Sequence, residues 1–303
     1  MINSLVIEPI VMAVLVIPNL VIWSYFVGGV VFAAGLVTIF RGHWQNARGF
    51  DKLLLFGPVF YAAPLAAFGT EHFTVTAVIA SIVPDWIPWH MFWAYFLGTC
   101  FIAAALSLAT RIQVRLTALL LGITFFLFVA LMHGPNWAQD PHNRFALAVA
   151  LRETSFSGGA LALSASLMER NQRGRLLTTI ARYFVAIPVL FFSVEQFLHG
   201  NYVPGIPLNR LTPGYIVGHS FWTYFAAVVY AVAGILLLIG KKTRQAALAI
   251  GLTVLLIELV VYVPIGVIDR ASLSTGLNYV FDTLMFCGTI LLLAGAMPRE
   301  GAQ

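Results

Sequence analysis

The chain has 303 residues, of which 60% are hydrophobic and only 10% charged. A soluble domain carries about 25% charged residues, so the composition excludes an ordinary soluble globular domain. The net charge of +5 is a topology signal and gives no support for nucleic-acid binding.

Residues 5–40 are apolar for longer than one straight crossing needs. Pro18-Asn19 divides them, because proline disfavours helical backbone at the residue before it and has no N–H to donate. The expectation is an interfacial segment over 4–17 and a leader span near 20–40. Further apolar runs follow near 53–73, 90–109, 116–134, 145–167, 178–198, 217–239, 246–266 and 275–297. Each is close to the roughly 20 residues that cross a hydrocarbon core, and all are continuous, unlike the alternating segments of a β-barrel. The expected fold class is an all-α polytopic membrane protein with nine transmembrane helices, one leader plus two parallel four-helix repeats.

The second set of spans repeats the first. His90-Met91-Phe92-Trp93-Ala94-Tyr95-Phe96 returns 129 positions later as His219-Ser220-Phe221-Trp222-Thr223-Tyr224-Phe225. At the same offset Arg115 returns as Arg244, Gly122 as Gly251, Pro135 as Pro264, Asp140 as Asp269 and Gly159 as Gly288. Upstream the offset is 124: Phe60, Ala62, Pro64, Phe68, Glu71 and Phe73 return as Phe184, Ala186, Pro188, Phe192, Glu195 and Phe197. Five extra residues in the loop after Glu195 account for the change. The domain reading is 1–48 for the interfacial segment and leader, 49–172 for the first repeat and 173–303 for the second. With an even number of helices per repeat, the copies enter the membrane in the same direction, about an axis along its normal. The two units are expected to enclose a shared midline cleft.

Basic residues set the orientation. With the segment after the leader placed inside, thirteen Lys and Arg residues fall inside: Arg41, Arg48, Lys52, Arg111, Arg115, Arg170, Arg173, Arg175, Arg182, Lys241, Lys242, Arg244 and Arg299. Only Arg144, Arg152, Arg210 and Arg270 fall outside, the asymmetry expected of cytoplasmic loops. The expectation is a multi-pass protein of the inner (cytoplasmic) membrane, amino terminus outside and carboxyl terminus inside. No basic residue precedes the first apolar run, so a secretory signal peptide is not expected.

The polar groups gather in the outer third. Glu71 and Glu195 end the first helix of each repeat, and Glu153 and Asp282 lie about eight residues into the last, roughly 12 Å deep. Glu258 approaches the same depth from the opposite direction, where the first repeat has Val129. Ionisable groups at such depth face the bundle interior or water, which makes Glu258, Asp282, Glu153, Glu71 and Glu195 the proton-exchange candidates. If one copy works alone, the asymmetric Glu258 points to the second. His90 and Trp93 share a helix face, as do His219 and Trp222; tryptophans there also serve as interface anchors. Six of the seven histidines, including His72 and His133, lie at this end. Arg152 beside Glu153 reads as a structural ion pair. No metal centre is expected, since no His-x₃-His or Glu-x-x-His pair occupies one helix. Cys100 and Cys287 lack a Cys-x-x-Cys partner, and no nucleotide-binding or nucleophile motif is present.

The four-helix unit resembles the DoxX/DoxD-like family of bacterial integral membrane proteins. The resemblance is carried by Pro64 with Phe68-x-x-Glu71, then Trp93-Ala94-Tyr95-Phe96-Leu97-Gly98, the turn Arg111 to Arg115 and Leu119-Leu120-Leu121-Gly122. His133, Leu151-Arg152-Glu153 and Gly158-Gly159-Ala160-Leu161 complete it. The chain departs from the family at 98–102, Gly-Thr-Cys-Phe-Ile, where an acidic residue is usual, and in lacking the closing glycine-rich tail with an aspartate. The resemblance implies an integral membrane subunit of a quinone-linked oxidoreductase system, with other protein subunits as partners and no covalent cofactor. His90, Trp93, His219 and Trp222 are then the quinone-cleft candidates. A structural or assembly subunit, and a small-solute or proton transporter, stay open as alternatives.

Overall fold

The computed structural model describes residues 18–169, 171–205, 210–268 and 273–299. The interfacial segment expected over 4–17, the repeat partner Asp269 and the outside basic residue Arg270 lie outside them.

Among the described residues nine long helices carry the fold: α1 (Pro18–Gly42), α2 (Gly57–Thr74), α3 (His90–Thr110), α4 (Val114–Phe128), α5 (Arg144–Ser166), α6 (Gln172–Leu198), α7 (His219–Ile239), α8 (Thr243–Ile257) and α9 (Leu273–Ala296). The chain is an all-α polytopic membrane protein. Eight helices among the described residues are long and apolar enough to cross a membrane, one fewer than the nine expected. The exception is α5, which matches the expected run at 145–167 but carries Arg152, Glu153 and several Ser and Thr residues. A helix packed on all sides by other helices meets little lipid, and α5 touches α4, α6 and α9.

The outer faces of the helices are apolar. On α7 the exposed residues Phe221, Tyr224, Val228, Val232, Ile235 and Ile239 follow one another at three- and four-residue spacing. The inward face of α3 is built on small residues, Ala94, Gly98, Ala104, Ala105 and Ala109. Lipid is as apolar as leucine, so close backbone packing rather than hydrophobic exclusion holds such helices together. Interhelical hydrogen bonds assist: the Ser157 hydroxyl donates to the Gly122 carbonyl at 2.7 Å and Ser193 to Ala227 at 2.7 Å. Each contributes on the order of 0.6 kcal/mol.

The offset of 129 carries over to the helix ends. Helices α3 and α7 begin and end 129 residues apart, as do α4 and α8. Both α4 and α8 continue through a wide π-helical turn, Val129–His133 and Glu258–Tyr262, into a short helix, Gly134–Gln139 and Val263–Ile268. A proline, Pro135 or Pro264, follows each wide turn and has no N–H to continue the ladder. The left-handed residues Trp89, Arg111 and Gln113 likewise match Gly218, Gly240 and Lys242.

Helix packing crosses between the two runs. Helix α5 packs on α6, and α9 packs on α2, so each run's last helix lies on the first helix of the other. Helices α5 and α9 meet in the middle, where a Cβ on Gly159 would stand 2.8 Å from Thr289 Cα. Nothing larger than glycine fits that crossing. The expected midline cleft is therefore filled by α5 and α9. Helix α1 lies against α2 and, less extensively, α3.

The basic residues of the turns cluster at one end. Arg111 reaches the Leu55 carbonyl, Arg182 donates to Leu237 O, and Arg244 donates to Ala294 O at 3.2 Å. Asp51 joins two of them, 2.5 Å from Arg244 and 2.6 Å from Arg299.

Candidate functional site

At the opposite end, the first run holds a cavity of about 380 Å³. Its wall is mostly apolar: Leu65 and Phe68 from α2, Ala94, Leu97 and Phe101 from α3, Phe125 and Phe128 from α4, Met132 beyond it, Phe156 from α5 and Met285 from α9. The polar part is Glu71 and His72 from the end of α2, His133 from the wide turn, Arg152 and Glu153 from α5, and Asn278 and Asp282 from α9. A second cavity of about 490 Å³ adjoins it, sharing Ile82, Met132 and His133 and lined by the loop residues Pro84, Asp85 and Trp86 and by Asn136 and Gln139 of the short helix after the wide turn.

Arg152 organises the polar wall. Its guanidinium donates to Asp282 at 2.6 Å, joining α5 to α9, and stands 3.7 Å from Glu153 Oε1. Glu153 Oε2 and Arg152 Nε are buried without a hydrogen-bond partner. Buried polar atoms are ordinarily paired, so these two on a cavity wall are free to pair with a molecule that enters it. Tyr25 of α1 lies close enough to the Glu71 carboxylate to interact with it, so α1 borders this part of the wall. His72 is buried, and its Nδ1 lies 2.7 Å from the Phe68 carbonyl. A carbonyl only accepts, so Nδ1 carries the proton, and in the neutral ring Nε2 is left as an acceptor. Phe101 meets the His72 ring edge-on at 5.5 Å.

The acidic candidates from sequence therefore separate. Glu71, Glu153 and Asp282 converge on this cavity. Glu195 does not: it stands 2.6 Å from Arg144 Nε, in ion-pair contact but outside hydrogen-bond geometry, and 3.8 Å from His199. Glu258 lies within the second run, 3% exposed, with neither carboxylate oxygen hydrogen-bonded. The open cavity belongs to the first run, against the expectation that Glu258 marks the working copy.

The aromatic cleft candidates lie elsewhere. Trp93 is 36% exposed and packs on Phe92 and Phe96 at the bundle surface. The inward face of α3 runs through Ala94, Gly98 and Phe101, one residue and about 100° away. His90, half-buried at the start of α3, lines neither cavity. Trp222 is half-buried and donates Nε1–H to the Val217 carbonyl at 3.1 Å. His219 begins α7.

Sequence reasoning passed over His72, His133, Arg152 and Asn278 as site residues. A usable signal was present for the histidines, because the offsets pair His72 with Gln196 and His133 with Tyr262, polar in both copies but titratable near neutrality in one. Among the described residues no three His, Cys, Asp or Glu side chains converge as a metal site. Cys100 is exposed, whereas Cys287 is buried and donates to the Gly251 carbonyl at 3.5 Å. Compared with known proteins, the chain matches no family model, no curated protein and no solved structure.

Proposed function

We propose that the chain is a duplicated, nine-span membrane subunit of a quinone-linked oxidoreductase system, with its amino terminus outside and its working site in the outer third of the first repeat. The observation that carries the reading is the 380 Å³ cavity, where an aromatic and aliphatic wall meets Glu71, His72, Glu153 and Asp282. Such a cavity suits an apolar ring with polar atoms at its edge. Oxidation of a quinol releases protons as well as electrons, and a histidine or carboxylate beside the ring receives the proton. The electrons pass to a partner subunit. The cadence shared with DoxX/DoxD-like proteins points the same way. A transporter would need polar continuity to the other end, and the buried side chains there are almost wholly apolar.

The test is extraction in mild detergent followed by solvent extraction and mass spectrometry of the bound lipid fraction. Quinone should accompany the protein and be lost from Leu97→Trp, which fills the cavity. Quinone-free protein that retains companion subunits would make the structural-subunit reading the correct one. Single-cysteine labelling at 111–115 and 241–244 should require membrane permeabilisation; labelling in intact cells would overturn the orientation.

A further inference from the structure

The second run holds the same pocket, closed by its own loop. Under the two offsets His72, Ala94 and His133 of the cavity wall correspond to Gln196, Thr223 and Tyr262. All three of these hold the backbone of 202–205. Thr223 donates to the Tyr202 carbonyl at 3.2 Å, Tyr262 to Pro204 at 2.7 Å, and Gln196 to Gly205 at 2.6 Å. The Gly205 N–H returns a bond to Gln196 Oε1 at 3.4 Å, and Val203 is fully buried. The loop is pinned at its base, where Val203 N–H donates to Arg210 O and Thr212 N–H to Asn201 O. Gly205 turns at φ +96°, a conformation that glycine adopts without strain.

We infer that the first cavity takes one molecule per chain, an apolar ring bearing hydroxyl groups, with ring oxygens at His72 and His133 where the second run seats its own peptide oxygens. This rests on the quinone reading of the cavity and specifies its atoms and redox form. The peptide carbonyls of the loop are acceptors, and they are met by the donors Gln196, Thr223 and Tyr262. In the first run the position of Thr223 is Ala94, and the His72 Nδ1–H is taken by the Phe68 carbonyl, which leaves Nε2 as the acceptor of the neutral ring. Glu153 Oε2 is a further unpartnered acceptor on the same wall. The same wall carries one unpartnered donor, Arg152 Nε–H. A hydroxyl can both donate to the bare acceptors and accept from the guanidinium, whereas a carbonyl only accepts, so the hydroxylated ring is held in preference to its carbonyl form. The wall corresponding to Phe101, Phe125 and Phe128 is Tyr230, Val254 and Ile257 in the second run, each 0% exposed, which leaves no room there for a second molecule.

The test is anaerobic calorimetric titration of the full chain in nanodiscs with ubiquinol-1 and, separately, ubiquinone-1. One equivalent should bind, the reduced probe about tenfold tighter than the oxidised one, and His72→Phe should weaken the reduced probe about tenfold. Glu153→Gln keeps the shape and should also narrow the preference between the two forms. Gln196→Ala combined with Tyr262→Phe, which frees the loop, should add a second and weaker equivalent. Two equivalents in the unaltered chain, tighter binding of the oxidised probe, or a well-folded His72→Phe variant with unchanged binding would each overturn this inference and leave the quinone reading standing. Absence of binding by either probe would overturn the quinone reading itself.

Discussion

The second and third helices of the two halves share their ends to the residue, yet one half is hollow and the other is filled. Around the first cavity Phe68, Leu97, Phe128, Met132 and His133 are only half-buried, while their counterparts Phe192, Ala226, Ile257, Val261 and Tyr262 are all at 0% exposure. The backbone of the helices does not make the difference, because α3 and α4 have the same bounds as α7 and α8. The connection between first and second helix makes it. In the first half that connection is the short helix Thr76–Ile82, which forms part of the cavity wall. In the second it dips inward at Val203–Gly205 and takes up the polar side chains that would face a ligand. The two halves thus differ through the connecting loop together with the side chains that hold it, Gln196, Thr223 and Tyr262 in place of His72, Ala94 and His133.

The largest effect expected concerns the pair that ties the halves together. Arg152→Ala leaves Asp282 and Glu153 buried without their cation and should destabilise the protein by about 3–5 kcal/mol. Arg152→Met with Asp282→Leu should return most of that stability, since a buried pair exchanged for apolar residues is often neutral. Thermal unfolding in detergent reads both; a mild Arg152→Ala would mean that the α5–α9 contact does not depend on the pair.

Glu258 sharpens the comparison next. Replacing it with valine, the residue at the matching position 129, removes a buried carboxylate with no hydrogen-bond partner and should stabilise the chain by about 1–3 kcal/mol. Ligand occupancy of the first cavity should not change. Loss of occupancy on Glu258→Val would bring the second half back into the working site.

Gln196→Leu should cost about 2 kcal/mol, because it strands the Gly205 carbonyl and N–H inside the protein. The matching change His72→Leu empties no such contact with a loop and should cost less than Gln196→Leu while weakening ligand binding. Equal costs would show that the loop is not held as the hydrogen bonds suggest. The smallest effect is expected from Gly205→Ala, about 1 kcal/mol through its positive φ, measurable as a small fall in midpoint temperature.

Much of the fold was legible because a membrane helix must satisfy its own backbone hydrogen bonds, so apolar runs of the right length report directly on helices. The leader ended near Gly42 and α6 near Leu198 much as the runs suggested. Helix α5 shows the limit: its run reads as a span, yet Arg152, Glu153 and its hydroxyl residues make sense only once α4, α6 and α9 surround it. In the site, Glu153 and Asp282 were recognisable as ionisable groups at depth, and Glu71 as an acid at a helix end. Trp93 was misleading because spacing within one helix fixes which residues share a face, not which face turns inward.

The sequence by itself determined the helical membrane class, which residues recur at offsets of 124 and 129, and the end of the bundle at which ionisable groups gather. These follow from hydrophobic length and from self-comparison, which need no knowledge of contacts. Only the tertiary structure decided that Asp282 of the second half lines the cavity of the first, that Glu258 does not line it, and that the backbone of Val203–Gly205 is held against the counterpart residues in the second half. Those outcomes depend on which helices pack together and where a loop finds hydrogen-bond partners, and both are set by groups more than a hundred residues apart or by backbone atoms that every sequence carries alike.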